Sequence, residues 1–258
     1  MDASLSPEES NSLNAHIEST LIKTGHEKIC YHKGMQTIPS ADSTVGQQQL
    51  LARIQKERSA GKKVLWLTSG GSNIAVTVVI MAGLTLQESE GVTIGLIDER
   101  YVPVGHLDSN WQQLVNAGID TKSATVLQVL YEDLSLAATA ERYDTCLEKA
   151  FSDADVILGL LGIGTDGHTA GILPGSSAAD KTDQYVCGYQ TKVYDRITIT
   201  PHALVHFTAA YTLAFGEAKK SAIQELINKT VPIATQPAQI LKNIKESYIF
   251  SDQIGGKT

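Results

Sequence analysis

The segment Asp155–Leu161 (DVILGLL) runs straight into Gly162, Gly164 and Gly167. An unbroken apolar run of strand length, with no polar alternation, must be covered on both faces. Strands of that kind belong to parallel sheets flanked by helices, which confines the chain to α/β architectures. The glycines that close the run let the backbone turn sharply and approach a ligand, and they present Asp166 and His168 at a strand end.

The rest of the chain alternates in the same sense. Lys63–Leu67 and Val92–Ile97 read as buried strands, and Thr125–Leu130 as a third. Further strands are expected at Lys28–His32, Gln184–Tyr189, Val193–Thr200, Val205–Phe215 and Glu246–Phe250. Helices are expected at Ser6–Thr24, which opens on Ser-Pro-Glu-Glu, and at Ser43–Ser59, Asn73–Leu84, Asn110–Ala117, Leu134–Phe151, Gly216–Asn228 and Ala234–Ile244. No linker or composition shift divides the chain. The expectation is one Rossmann-like α/β domain over residues 1–258, its mostly parallel sheet carrying helices on both faces, with a disordered tail at 253–258.

Composition excludes several functions. The formal net charge of −7 gives no global basic field for nucleic acid. Three widely spaced cysteines, Cys30, Cys146 and Cys187, suggest neither a disulfide framework nor a zinc site. No apolar run reaches the length of a membrane span, and Met1–Leu13 has no signal-peptide pattern. A cytoplasmic protein with reduced thiols is expected. Nothing in the sequence requires more than a monomer, and it does not specify the oligomeric state.

Three strand ends carry unusual residues. Thr68-Ser-Gly-Gly-Ser72 offers backbone N–H groups and hydroxyls at a helix N-terminus, a setting for phosphate; a plain strand–helix turn capped by serine is equally open. Asp98-Glu99-Arg100 would be a surface ion cluster in isolation, but here it ends an apolar strand and precedes a long polar loop containing Asn110. Gly162-x-Gly164-x-x-Gly167 satisfies the dinucleotide fingerprint, yet the following HTAGILPG does not open a helix and no acid ends the next strand. Arg196 and Lys219 supply two later cations. The terminal Gly255-Gly-Lys-Thr258 lacks the upstream glycine of a nucleotide loop.

Taken in order, SGGS at Ser69–Ser72, DERxVP at Asp98–Pro103, DSN at Asp108–Asn110, GxGxDGHTA at Gly162–Ala170, LPG at Leu173–Gly175, RITIT at Arg196–Thr200 and Gly216-x-x-Lys219 resemble the 6-phosphogluconolactonase family. The wider superfamily includes glucosamine-6-phosphate deaminase. The resemblance runs from about Lys63 to Lys219. It implies hydrolysis of a phosphosugar lactone, 6-phosphogluconolactone, with no organic cofactor and no catalytic metal.

On this sequence the resemblance makes His168 the general base, with Asp166 orienting or tuning it, a role suited to a side chain that titrates near neutrality. Ser69, Gly70, Gly71, Ser72, Arg100, Arg196 and Lys219 would hold the phosphate and nearby oxygens, with Asp98 and Asn110 in the same pocket. The deaminase branch carries tyrosine where this chain has Arg100, and a catalytic glutamate where it has Leu173. A non-catalytic sugar-phosphate-binding protein is the remaining alternative. Two stretches depart from the lactonase pattern: Ser72-Asn73-Ile74 replaces STP, and Gly171-Ile-Leu173 replaces SLF.

Overall fold

A computed structural model describes residues 31–32 and 34–255. The helix expected at Ser6–Thr24, residues 28–30 and the tail residues 256–258 lie outside them. Strand β1 (Tyr31–His32) pairs antiparallel with β2 (Met35–Pro39), and helix α1 (Thr44–Ser59) follows. Then come β3 (Val64–Thr68), α2 (Asn73–Gly83), α3 (Leu86–Glu90), β4 (Val92–Leu96), β5 (Asp98–Arg100), α4 (Asn110–Asn116) and β6 (Thr125–Val126). The second half contributes α5 (Leu136–Asp153), β7 (Val156–Gly162), β8 (Val186–Tyr189), β9 (Arg196–Ile199), α6 (Pro201–Val205), β10 (Ala209–Leu213), α7 (Lys220–Asn228) and β11 (Ser247–Ser251).

Eight strands form one sheet in the order β1-β2-β11-β10-β7-β3-β4-β6, parallel everywhere except the β1–β2 edge. The central strands send alternate residues to two separate cores. Val64, Trp66, Val156, Leu158 and Leu160 pack with Leu50 and Ile54 of α1 and with Val76 and Ile80 of α2. Leu65, Leu67, Ile157 and Leu161 pack with Tyr143, Leu147 and Phe151 of α5. This two-sided burial explains the uninterrupted apolar runs. The chain leaves β3 toward β4 and β6, then returns to place β7 on the other side of β3. Strand order therefore reverses between β3 and β7, and their carboxyl ends open a crevice.

The expected α/β fold is present, with additions and corrections. A second, antiparallel sheet, β5-β9-β8, stands beside the first. Its strands have three or four residues each and pair across long sequence separations, so periodicity alone does not reveal it. The missed strand β2 ends at Pro39, which sits at the strand terminus, where proline is tolerated. Of Thr125–Leu130 only the first two residues form a strand, because β6 is an edge and β4 soon leaves for β5. Val193–Thr200 becomes strand only at Arg196, since Thr191 Oγ1 accepts the Val193 and Tyr194 N–H groups and turns the chain.

Within Val205–Phe215 the strand begins at Ala209. Thr200 caps α6 with Pro201 in its first turn, so helix extends to Val205. The helix expected at Ala234–Ile244 is a 3-10 segment, Pro237–Asn243, whose Ala238 N–H donates to the carbonyl of Gly167. Gly216–Asn228 likewise opens with a 3-10 turn at Glu217–Lys219 before α7. The tail expectation is corrected for 253–255: the Gln253 N–H bonds Ser251 Oγ and Ile254 packs on the core.

One buried side chain ties α5 to the sheet. The Tyr143 hydroxyl donates to the Leu96 carbonyl at 2.7 Å and accepts the Leu96 N–H at 3.0 Å. Replacing Tyr143 by Phe leaves two buried backbone groups unpaired. The expected loss is about 2 kcal/mol in urea unfolding, with the fold retained.

Candidate active site

The crevice between β3 and β7 is a cavity of about 380 Å³. Three loops and two later elements build it. The β3 loop contributes Ser69–Ser72 and runs into α2, whose first residue is Asn73. The N–H groups of Gly70, Gly71 and Ser72 have no acceptor among the described residues, so three donors and the positive end of α2 converge there. Ser69 plays another part than expected. Both its N–H and its hydroxyl bond the Leu160 carbonyl, at 3.1 and 2.7 Å, which fastens the loop to β7 and leaves the hydroxyl engaged.

The second wall comes from β5 and α4. Glu99 is buried and accepts from Asn110 N at 2.6 Å, Arg100 N at 2.7 Å, Ser109 Oγ at 2.8 Å and Trp111 N at 3.0 Å. Burial pushes its carboxyl up, and those four donors pull it back. The carboxylate thus fixes the start of α4 and with it Asn110, whose Nδ2 donates to the Asp98 carbonyl at 2.8 Å. A Cβ on Gly70 would lie 2.0 Å from Asn110 Oδ1, so only glycine lets the two walls close together. Sequence reasoning gave Glu99 no role. Its position two residues past a buried strand was the available signal.

The β5–β9 register sets Arg100 directly opposite Arg196, and Asp98 opposite Thr198. Two like charges side by side are unfavourable unless something negative stands near them. Asp98 supplies part of that, meeting Arg196 Nη1 at 3.1 Å. Burial raises the Asp98 carboxyl, opposed by the charges of Arg196 and Arg100. Arg100 Nη1 donates to the Asp108 carbonyl at 2.7 Å, and Asp108 in turn accepts the Tyr194 hydroxyl at 2.8 Å. Lys219, at the start of α7, is half-buried on the same cavity, and its ammonium has no hydrogen-bond or ion-pair partner among the described residues. Burial lowers its pKa.

The third loop follows β7. No helix opens at Gly162–Gly167, so the glycines do not build a dinucleotide site. His168 lines the cavity, and its Nδ1 lies 2.6 Å from Asp166 Oδ1. The same oxygen accepts the His168 N–H at 3.1 Å. Burial would raise the Asp166 carboxyl, but the His168 N–H and imidazole hold it below the usual carboxylate range. A carboxylate on Nδ1 places the ring proton there and leaves Nε2 as the basic nitrogen. Asp166 itself is not on the cavity wall; it orients His168 from behind.

Ten of the eleven residues expected from sequence therefore meet at one cavity, and the eleventh supports it. Asn73, Thr165 and Ala170 also line it without having been assigned roles. Leu173 does not. The departure at Gly171 has a steric cause: a Cβ there would lie 2.8 Å from both Asp98 Cβ and Thr198 Cβ.

A parallel α/β sheet thus carries an anion-ready loop and an acid-bonded histidine at its switch point, the place where doubly wound folds bind ligands. A family model described as glucosamine-6-phosphate isomerases/6-phosphogluconolactonase matches residues 41–250, and the chain belongs to that family. It is 31% identical over 147 residues to the probable chloroplastic 6-phosphogluconolactonase 3 of Oryza sativa subsp. indica, covering 50% of this chain and 44% of that one. The chain thus spans less than half the length of that relative. It is 26% identical over 182 residues to the 6-phosphogluconolactonase of Helicobacter pylori, covering 69% and 78%. The solved 6-phosphogluconolactonase of Thermotoga maritima superposes with a TM-score of 0.71 at 21% identity, covering 84% of this chain and 98% of that one. That of Trypanosoma cruzi gives 0.70 at 21%, covering 89% and 98%. At such identities the structural likeness is one of fold.

Two outcomes are expected of variants here. Gly171→Ala overpacks a buried contact and should lower unfolding stability by about 1–3 kcal/mol in urea titrations. Lys219→Met should raise thermal stability near neutrality. A lysine whose pKa is lowered on folding costs stability at every pH below its folded value, and that cost fades as pH climbs toward the ordinary lysine value. The gain from Lys219→Met should therefore shrink at high pH, as read by melting temperature across a pH series.

Proposed function

We propose that the protein hydrolyses 6-phosphogluconolactone to 6-phosphogluconate. The observation that carries this reading is His168, its Nδ1 held 2.6 Å from Asp166 Oδ1, on the same cavity as three N–H groups and a lysine that have no partner among the described residues. The substrate phosphate sits at the N–H groups of Gly70, Gly71 and Ser72, with Lys219 as a point charge. Arg100 and Arg196 supply further positive potential toward the sugar oxygens. His168 Nε2 removes a proton from water as the water oxygen attacks the lactone carbonyl. No helix among the described residues is long and apolar enough to cross a membrane. Cys146 and Cys187 form no disulfide among the described residues, and a cytoplasmic location goes with this reading. The ligand is a small phosphosugar lactone; neither nucleic acid nor a membrane enters the reading.

Within the same family the deaminase reaction has less support. Its proton-transferring glutamate corresponds to Leu173, which has no titratable group and is not on the cavity. A binding protein without catalysis would have no use for the Asp166–His168 pair.

The deciding experiment is proton release from freshly made 6-phosphogluconolactone, run beside ammonia release from glucosamine 6-phosphate. Hydrolysis well above the spontaneous rate, with no ammonia, is expected. Robust ammonia release would overturn the lactonase assignment, and a rate equal to the spontaneous one would leave a binding protein. His168→Ala should lower kcat by about 10²–10⁴ while 6-phosphogluconate still binds, as measured by calorimetry.

A further inference from the structure

The lactonase reading carries one further chemical need. Attack on the lactone carbonyl drives negative charge onto its oxygen, and a donor must already be in place to receive it. Arg196 gives one N–H to Asp98 and Arg100 gives one to the Asp108 carbonyl, and their remaining N–H groups serve the sugar oxygens. Asp166 and His168 are occupied with the proton. The turn that follows His168 offers a different kind of group.

Ala170 lines the same cavity as His168, two residues after it, with a backbone φ of 54°. This is the left-handed region, which residues other than glycine, asparagine and aspartate seldom enter. Such outliers persist only where their surroundings over-determine them. Here they do. The Ile172 N–H bonds the Thr169 carbonyl at 3.1 Å, and Thr169 Oγ1 donates to the Gly162 carbonyl at 2.8 Å. The Gly171 N–H donates to Thr198 Oγ1 at 2.9 Å, and the Gly171 carbonyl accepts the Tyr189 hydroxyl. The His168 carbonyl accepts the Gly164 N–H at 2.8 Å. The Gly171 and Ile172 amides are committed, while the Ala170 N–H has no acceptor among the described residues.

We propose that the Ala170 N–H is the oxyanion donor of the reaction, a catalytic backbone group held ready by the locked Thr169–Ile172 turn. This rests on the lactonase reading and deepens it. The step balances as follows. Water loses a proton to His168 Nε2 as its oxygen bonds the carbonyl carbon. The carbonyl π pair moves onto oxygen and accepts the hydrogen bond from Ala170. When that pair returns, the ring C–O bond breaks and the ring oxygen takes the proton from the imidazolium. The new carboxylic acid then releases its proton to solvent. The Gly171 departure acquires a purpose in this account. Glycine lets the turn close against Asp98 and Thr198, and that contact fixes the preceding residue.

The direct test replaces the Ala170 amide by an ester in the full chain, introducing lactic acid at position 170 by nonsense suppression. The change deletes one N–H that no described residue accepts, and it weakens without removing the bond from the Ile172 N–H to the Thr169 carbonyl. Expected is a fall in kcat of about 10²–10³-fold with KM, 6-phosphogluconate affinity and melting temperature near wild type. An unchanged kcat would overturn the proposal. So would affinity and melting temperature falling in step with kcat, since a merely structural role would produce that. A second readout needs no variant: in isotope-labelled wild-type protein the Ala170 amide proton should move downfield when 6-phosphogluconate binds, its carboxylate standing where the oxyanion forms. An unmoved resonance with ligand bound would sink the idea. Wild-type protein that fails to hydrolyse the lactone would remove the parent reading as well; a hydrolysing wild type with a fully active ester variant removes this inference alone.

Discussion

Glu99 is the point on which the site depends. A buried carboxylate is costly unless it is fully hydrogen-bonded, and four donors from residues 100 and 109–111 meet it. The cost and its compensation together leave the loop between β5 and α4 one way to lie. That arrangement places Asn110 against Gly70, sets Asp108 to hold Arg100, and closes the cavity wall beside β3. None of these contacts is strong alone. They are coupled through one anion, so loss of that anion would loosen residues that never touch it.

The two sheets divide the labour of the molecule. The large parallel sheet fixes where the anion loop and the histidine emerge. The small antiparallel sheet brings the arginines and Asp98 across from a different part of the chain. Its Arg100–Arg196 register brings like charges together that the fold only partly neutralises through Asp98. An acidic protein is thereby given one local site of opposite sign. Net charge bears on solubility and long-range attraction, whereas converging side chains decide what binds.

Much of this was legible in the sequence because the strongest signals are local. Apolar runs such as Val64–Leu67 and Val156–Leu161 can only be strands buried on both faces, and the glycine and serine clusters mark where they stop. What was not legible is what depends on non-local pairing. The strand β9 and its partners carry too few residues for a period to show, and Thr200-Pro201 caps a short helix, Pro201–Val205, before the strand that resumes only at Ala209. The loop-fastening part of Ser69 was not legible because its hydroxyl finds a carbonyl on β7, across the sheet. The left-handed Ala170 has no sequence signature, since its conformation is imposed by Thr198 and Tyr189 from the second sheet.

The anion loop and the histidine loop leave strands that are direct neighbours. Thr68 pairs with Leu160, and the next residue, Ser69, is bonded to the same Leu160. Neighbouring strands stand about 4.8 Å apart, a spacing set by backbone hydrogen bonds rather than by side chains. The separation of the two loop origins is therefore gauged by the sheet itself. Loop sequences are free to drift, as at Asn73 and Gly171, without altering that gauge. What such a scaffold holds constant is the distance at which its two cavity loops set out.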